Sequence, residues 1–156
     1  MLLYLIRHAH AEDGEDDFAR PLSAKGRRQV RQMAAFLRRA GLFEAKEIRF
    51  SPLLRAKDTA RLFAKELAGK IRLIEMAAMK PFVDPAVAAG QLRTARDVVA
   101  VVGHEPHMSS LATLLLGGER DEPRVVLKKC AVLALERTGR NWAVRWLVSP
   151  AELARR

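Results

Sequence analysis

The sequence predicts an α/β fold, a three-layer α/β/α sandwich whose mostly parallel sheet is closed by a C-terminal antiparallel hairpin. Two short, continuous apolar runs, Leu2 to Ile6 and Val98 to Val102, have the pattern of strands buried on both faces. A helix-like segment follows a strand-like segment three times, which is typical of parallel sheets covered by helices. At 156 residues the chain has the length of one domain, so we expect residues 1–156 to form a single domain.

The first strand, Leu2 to Ile6, ends at Arg7-His8, and an acidic, glycine-bearing segment follows from Ala9 to Ala19. This composition predicts a solvated loop. Ser23 then begins a helix as its N-cap, and Gly41 ends it. The apolar positions of this helix follow the i, i+3, i+4, i+7 rule: Val30, Met33, Ala34 and Leu37.

The second strand covers Ile48 to Phe50 and leads into another helix. Ser51-Pro52 has the pattern of an N-cap followed by proline at the first helical position, where a missing N–H costs nothing. We expect this helix to continue to about Leu67 and to end before Gly69.

A third strand is predicted at Ile71 to Ile74, and the segment from Asp84 to Arg96 reads as a loop with a weak helix because its apolar spacing is poor. After Val98 to Val102, the segment Pro106 to Leu116 is predicted to be helical and to stop at Gly117-Gly118.

The C-terminal hairpin is predicted from two strand-like segments, Val125 to Glu136 and Trp142 to Val148. The turn-rich linker Arg137 to Asn141 joins them. Strand periodicity places Trp142 and Trp146 on one face of the last strand, where both should belong to the core.

The chain contains 28 Lys and Arg against 18 Asp and Glu, a formal net charge of +10. This charge favours an anionic partner, which could be nucleic acid, an anionic membrane or a phosphorylated substrate. The apolar runs are too short to span a bilayer, which excludes a transmembrane protein. The single cysteine, Cys130, excludes an internal disulfide, and the N-terminus has no basic region before its apolar run, so we expect a cytoplasmic protein.

Three basic features are predicted at the same edge of the sheet, where strands end. Arg7-His8 follows the first strand, Arg55 lies in the first turn of the second helix, and His104 follows the strand Val98 to Val102. Guanidinium groups, imidazoles and helix N-termini together suit a tetrahedral dianion, because each oxygen can accept charge-assisted hydrogen bonds. The sequence therefore predicts a phosphate site at this edge.

Either His8 or His104 could attack phosphorus, because an imidazole nitrogen is a competent covalent catalyst and no serine or cysteine lies in a nucleophile motif. A nucleophilic histidine must be neutral. The neighbouring cations Arg7 and Arg55 should help by lowering the histidine pKa.

Four segments in order resemble the histidine phosphatase superfamily, which has the phosphoglycerate-mutase-like fold, and within it the SixA-type phosphohistidine phosphatases. The segments are Leu5-Ile-Arg-His-Ala9, Arg20-Pro-Leu-Ser-Ala-Lys-Gly26, Ser51-Pro-Leu-Leu-Arg-Ala-Lys-Asp-Thr-Ala60 and Val102-Gly-His-Glu-Pro106. The resemblance extends from residue 2 to about residue 148. Ala9 departs from the glycine that many members carry, and alanine is common in the SixA-like branch.

The resemblance implies that His8 is the nucleophile and forms a phosphohistidine intermediate. It implies that Arg7, Arg55 and His104 hold the phosphoryl oxygens with no metal or cofactor, and that Arg20 lines the pocket. The broader superfamily also uses an acidic proton donor. Glu75 and Glu105 are candidates by position, but neither lies in a recognisable donor motif, so the donor could be either residue or absent.

Larger superfamily members insert helices that cover the pocket, whereas only the segment from about Glu75 to Asp97 separates the third strand from Val98. We therefore expect no large cap and an open pocket, which suits phosphohistidine on a protein partner, with inorganic phosphate as product and a monomeric enzyme. One alternative is a phosphatase of small phosphomonoesters. Another is a non-catalytic basic protein that binds phosphate or nucleic acid.

Three further features receive simpler interpretations. The acidic segment Glu12 to Asp17 does not have the spacing of a calcium loop, so we expect a solvated loop near the pocket mouth that could pair with Arg20. His10 and His107 belong to no motif and are expected to be solvated or to pack. Nucleic-acid and membrane partners are not expected.

Overall fold

The computed structural model describes residues 1–154, and these form a six-stranded sheet with helices on both faces. The strands are β1 (Leu2–Arg7), β2 (Glu47–Phe50), β3 (Arg72–Glu75), β4 (Val99–Gly103), β5 (Val132–Thr138) and β6 (Asn141–Val148). The helices are α1 (Ala24–Ala40), α2 (Leu54–Glu66), α3 (Pro85–Arg93), α4 (His107–Leu115) and α5 (Pro150–Leu153). Two short 3₁₀ turns cover Asp17–Ala19 and Ala77–Met79.

The strand order is β3-β2-β4-β1-β5-β6. Strands β1 to β4 are parallel to one another, and β5 is antiparallel to both of its neighbours, β1 and β6. This arrangement confirms the predicted sandwich with its C-terminal hairpin. Between β3 and β4 the chain forms only one 3₁₀ turn and α3, so no large insertion covers the sheet edge there.

The two faces of the sheet carry separate apolar cores because successive side chains of a strand point to opposite faces. Leu3 and Leu5 of β1 belong to the core that includes apolar residues of α3 and α4. Tyr4 and Ile6 belong to the core that includes residues of α1 and α2. All four side chains are fully buried, which fixes β1 in the centre of the sheet and holds its C-terminal end in place.

Helix α2 begins later than the Ser51-Pro52 pattern predicts, and that prediction is wrong. The N-cap is Leu53, and Leu54 is the first helical residue. The Ser51 hydroxyl does accept a backbone hydrogen bond, from the N–H of Leu53 at 3.4 Å, but it also bonds His104. Ser51 therefore shapes the turn before the helix. Arg55 still lies in the first turn, as predicted.

The segment that the sequence assigned mainly to a loop contains the regular helix α3. The Asp84 side chain accepts a hydrogen bond from the N–H of Ala86 at 2.8 Å, and Pro85 is the first helical residue. This is a standard helix start, and the buried residues Ala88, Ala89 and Leu92 form its inner face. Because these residues are small, the apolar pattern predicts only a weak helix within a loop rather than the regular helix that is present.

Strand β5 is shorter than predicted, because the chain from 125 to 131 is not part of a strand and pairing begins at Val132. The pairing of β5 with β6 shifts by one residue: Ala134 of β5 pairs with Trp146 of β6, but the next residue, Leu135, pairs with Val144. Arg145 is thus an extra residue that reverses the alternation of side chains. Trp142 packs in the α3–α4 core and Trp146 against the α1–α2 core, so the two tryptophans do not share a face.

Within residues 1–154, no helix is both long enough and apolar enough to cross a bilayer.

Candidate active site

His8 lies directly after β1, in the centre of the sheet edge. Its backbone N–H donates to the carbonyl of Gly103 in β4 at 2.9 Å, and its side chain is only 7% exposed. The ring Nδ1 lies 2.7 Å from the carbonyl oxygen of Ala9. Because a carbonyl can only accept, Nδ1 carries the proton and Nε2 of the neutral ring keeps its lone pair.

His104 directly follows β4, the strand that pairs with β1, and its ring lies next to the ring of His8. The two ring centroids are 5.1 Å apart at an interplanar angle of 52°. Nε2 of His104 forms a 2.7 Å hydrogen bond with the Ser51 hydroxyl, which comes from the loop after β2. Nδ1 of His104 is buried and has no hydrogen-bond partner within residues 1–154. Three parallel strands thus bring both imidazoles and Ser51 to one place.

Both histidines are held in the neutral form. The pKa of His8 is lowered to about 4, mainly by burial and also by the charges of Arg55, Arg7 and Lys129, while the hydrogen bond to the Ala9 carbonyl acts in the opposite direction. The pKa of His104 is lowered to about 3, with burial as the largest cause and the neighbouring His8 as the next. The arginines do have the predicted effect, but desolvation by burial is the larger cause.

Arg55 is 6% exposed, and its guanidinium is bound by the acidic loop. Nη1 donates to the backbone carbonyl of Asp17 at 2.7 Å and lies 3.3 Å from its carboxylate. The helix turn that carries Arg55 is also linked to the His8 loop, since Thr59 Oγ1 donates to the Arg55 carbonyl at 2.7 Å and accepts from the N–H of Ala9 at 3.1 Å. Arg55 is therefore fixed relative to His8.

Arg7 is anchored through one nitrogen and leaves another unpaired. Nη1 donates to the carbonyl of Leu127 at 2.9 Å, whereas Nε is buried with no partner within the described residues. Burial lowers the pKa of Arg7, and the carboxylate of Glu105 opposes this. A buried N–H without a partner is uncommon in a folded protein and fits a position where a ligand oxygen accepts.

Arg20 is joined to Arg55 through Asp17. Its Nη1 lies 3.1 Å from the Asp17 carboxylate, and its Nε donates to the carbonyl of Glu12 at 2.9 Å. The hydrogen bond from Arg20, together with the nearby charge of Arg55, lowers the pKa of Asp17. The predicted pairing of the acidic loop with Arg20 is present. The sequence did not indicate that Asp17 would also contact Arg55.

Lys129 is a further cation near His8, because the N–H of the next residue, Cys130, donates to the His8 carbonyl at 3.2 Å, and the sequence analysis did not predict it. Burial and the nearby charges of Arg7 and Arg20 lower the pKa of Lys129 itself. It was overlooked because the segment was interpreted as a strand. The adjacent pair Lys128-Lys129 in that apolar run was a signal of a loop that could have been used.

The two candidate acids lie in different surroundings. Glu75 ends β3, three strand positions from β1 at about 4.8 Å each, and lines a cavity with Arg72 and Gln91 rather than with His8. Glu105 is the nearer residue, but its carboxylate oxygens accept hydrogen bonds from the backbone and hydroxyl of Ser109. Glu75 therefore lies away from His8, whereas the carboxylate of Glu105 lies closer and is engaged by Ser109.

The two other histidines support the local structure. Nδ1 of His10 forms a 2.6 Å hydrogen bond with the Ser23 hydroxyl, the N-cap of α1. His107 is 3% exposed at the start of α4. Within residues 1–154, no group of three or more His, Cys, Asp or Glu side chains is placed to hold a metal ion.

Comparison with solved structures gives the same fold at high similarity. The protein histidine phosphatase SixA complexed with tungstate superimposes with a TM-score of 0.88 at 24% identity, covering 98% of this chain and 99% of that one. An α-ribazole phosphatase from Shigella flexneri gives 0.77 at 15% identity, with 96% and 97% covered. A phosphoserine phosphatase mutant from Entamoeba histolytica gives 0.71 at 16% identity, also covering 96% and 97%.

Comparison of sequences is consistent with the structural result. An uncharacterized protein from Picosynechococcus is 32% identical over 142 residues, which are 86% of this chain and 84% of that protein. The model of the histidine phosphatase superfamily, branch 1, matches residues 3–80, which include His8 and Arg55. The chain therefore belongs to the histidine phosphatase superfamily.

Proposed function

We propose that this protein is a phosphatase that works through a covalent phosphohistidine intermediate on His8. The observation that carries the proposal is the state of the His8 ring: Nδ1 donates to Ala9, and burial lowers the pKa to about 4. The lone pair of Nε2 is therefore available at neutral pH. Around it lie three cationic side chains, Arg7, Arg55 and Lys129, and a second neutral imidazole, that of His104. Family membership supports phosphatase activity in general.

In the first step, the Nε2 lone pair of His8 forms a bond to phosphorus while the bond from phosphorus to the leaving group breaks. The bonding pair departs with the leaving group, which takes up a proton. In the second step, the oxygen of a water molecule bonds to phosphorus while the N–P bond breaks, the electron pair of that bond returns to Nε2, and inorganic phosphate leaves as the water gives up a proton to the solvent. Arg7, Arg55 and His104 hold the equatorial oxygens, and the orphaned N–H of Arg7 is one donor for them. Arg20 contributes through Asp17, which binds both Arg20 and Arg55.

For the substrate, we propose phosphohistidine on a protein partner. The short chain between β3 and β4 leaves the sheet edge without the large insertion that would restrict access to a small molecule. An imidazole leaving group also needs less help from a general acid than an alkoxide does, which fits the engaged state of Glu105. We further propose that the reaction needs no metal.

The proposal is tested by incubating the enzyme with a phosphohistidine protein, quenching in alkali and measuring acid-labile, alkali-stable phosphate on the chain. We expect label on wild type and none on His8→Ala, which should also lose turnover. Full activity of His8→Ala would refute the mechanism, and a strict requirement for a divalent cation after chelation would refute the metal-free site.

Hydrolysis of small phosphomonoesters is the second candidate, favoured by the structural likeness to an α-ribazole phosphatase and a phosphoserine phosphatase. Comparing kcat/KM on a phosphohistidine protein with that on small phosphate esters separates the two. A protein that binds phosphate but turns over neither substrate would instead be the non-catalytic anion-binding protein.

A further inference from the structure

The positive charge of the chain is concentrated in one of its two helical layers. Helices α1 and α2 together contain ten Lys or Arg and two acidic residues. In the opposite layer, α3 contains a single arginine, Arg93, and α4 contains no Lys or Arg. One face of the molecule therefore carries most of the net charge of +10.

A groove of about 330 Å³ lies in this basic layer. It is lined by Leu22, Arg27, Asp58, Arg61, Leu62 and Lys65, and we name it the α1–α2 groove. Its one carboxylate is occupied, because Asp58 accepts a hydrogen bond from the N–H of Leu22 at 3.3 Å. The guanidinium of Arg27 donates a 2.9 Å hydrogen bond to the Leu22 carbonyl, so Arg27 already has a partner within the protein.

Two cations of the groove are exposed and have no partner in the part of the chain that the structure describes. Among residues 1–154, Arg61 and Lys65 form no ion pair and no side-chain hydrogen bond. Farther along the same layer, Arg31 does have a partner, the Glu66 carboxylate at 3.6 Å. The groove therefore offers apolar side chains beside two available positive charges.

The groove begins next to the candidate active site. Helix α2 starts at the sheet edge that carries His8, and Asp58 is one helical turn beyond Arg55. Thr59, the next residue, accepts the hydrogen bond from Ala9 in the His8 loop. From Asp58 to Lys65 the helix rises about 10 Å, so the groove extends away from the site by about that distance.

We propose that the α1–α2 groove binds an acidic segment of the phosphoprotein substrate, close to its phosphorylated histidine. The inference rests on the proposed function and adds the chemistry of the partner. Arg61 and Lys65 pair with carboxylates, and Leu22 and Leu62 contact the apolar parts of the segment. None of the six described residues that line the groove is an aromatic residue on which bases could stack, so a nucleic acid is the poorer fit.

The test uses two synthetic phosphohistidine peptides that differ only in their flanks, one rich in Asp and Glu and one with Ser and Gln at the same positions. For wild type we expect KM for the acidic peptide to be lower by about tenfold at low salt, with similar kcat. This preference should decline as ionic strength rises, because exposed charges are screened over about 8 Å at 0.15 M salt.

The decisive variant is Arg61→Glu with Lys65→Glu, for which the preference for the acidic peptide should disappear or reverse. The matched control is Arg28→Glu with Arg39→Glu, which changes the charge of α1 by the same amount outside the groove and should keep the preference. Circular dichroism and thermal unfolding establish that both variants are folded.

The outcomes separate the two proposals. The groove assignment would be overturned if wild type hydrolysed both peptides equally well, or if the control variant lost the preference as fully as the groove variant. Neither result would contradict the proposed phosphatase function. Wild type that hydrolyses neither peptide nor a small phosphate ester would overturn the proposed function. Groove-dependent inhibition by a single-stranded oligonucleotide, without a preference for the acidic peptide, would favour nucleic acid and overturn the protein partner.

Discussion

Arg55 is buried, and its guanidinium is held in place by the acidic loop. Truncating this side chain therefore removes one cationic hydrogen-bond donor from a defined position at the site. We expect Arg55→Ala to lower kcat/KM by about 10²–10³, because a preorganised donor to the developing phosphoryl charge is lost. Steady-state kinetics measure this. Arg39→Ala, an exposed residue at the end of α1, is the control and should remain within twofold; a wild-type rate for Arg55→Ala would exclude a role in holding phosphate.

The pKa of His8 sets the acid limit of the activity. With a pKa of about 4, Nε2 remains unprotonated down to that pH, and below it kcat/KM should fall about tenfold per pH unit. A small phosphate ester is the suitable substrate, since it survives acid, and the rates are corrected for the dianion fraction of the ester near pH 6. An acid limb near pH 6.5 that persists after this correction would show that His8 is not held neutral as described.

At the scale of an element, the position of α1 depends on a glycine. A Cβ at Gly26 would lie 1.9 Å from the backbone carbonyl oxygen of His10, so helix and loop could not keep their contact. Gly26→Ala should lower the free energy of unfolding by about 2 kcal/mol or more, and it should also disturb the loop that follows His8. In α3, Gly90 has open space for a Cβ, and Gly90→Ala should stabilise by about 0.5–1 kcal/mol.

Urea unfolding of the two alanine variants measures the contrast. Because both changes replace a helical glycine by alanine, helix propensity favours both, and the close contact at Gly26 is the main difference between the two positions. Equal stability of the two variants would contradict the close approach of α1 to the His10 backbone.

The elements that were predicted well have strong local signals. The apolar runs of β1 and β4 are long enough to need burial on both faces, and Ser23 and Gly41 bound α1 as a helix N-cap and C-cap do. The start of α2 was misplaced because Ser51 satisfies a tertiary partner, His104, that lies 53 residues away. Helix α3 was underestimated because its inner face consists mainly of alanine.

The candidate site divides in the same way. Arg7, His8, Arg55 and His104 could be placed because each lies at the end of a strand, directly after a strand or in the first turn of a helix at the sheet edge. Asp17 and Lys129 could not, because both lie in connecting segments, a short 3₁₀ turn and a loop, whose paths depend on tertiary contacts. The bulge at Arg145 was hidden for a similar reason: one extra residue changes which face Trp146 occupies, and no local pattern marks it.

At the scale of the whole molecule, the neutral histidines make stability depend on pH. The ordinary histidine pKa of 6.5 applies to the unfolded chain, whereas in the folded protein it is about 4 for His8 and about 3 for His104. Between pH 6.5 and about 4 the unfolded chain therefore binds more protons than the folded one. Stability is full above pH 6.5 and is lost as the pH falls through this window.

We expect each of these two histidines to reduce the free energy of unfolding by about 2 kcal/mol between pH 7 and pH 5. Denaturant unfolding at the two pH values measures the total, and His8→Asn, which cannot titrate, isolates one share. The difference between the two pH values should shrink by about 2 kcal/mol in this variant. An unchanged difference would mean that His8 is protonated in the folded protein at pH 5.

The burial of Cys130 has a consequence for how such an enzyme tolerates oxidising conditions. The thiol is fully buried, and burial raises its pKa, so thiolate does not form at neutral pH. Since the proposed nucleophile is a ring nitrogen and this is the chain's one sulfhydryl, peroxide concentrations that inactivate thiol-dependent phosphatases should leave its turnover intact. Dephosphorylation by this chain would then continue under oxidative stress, when cysteine-based enzymes stop.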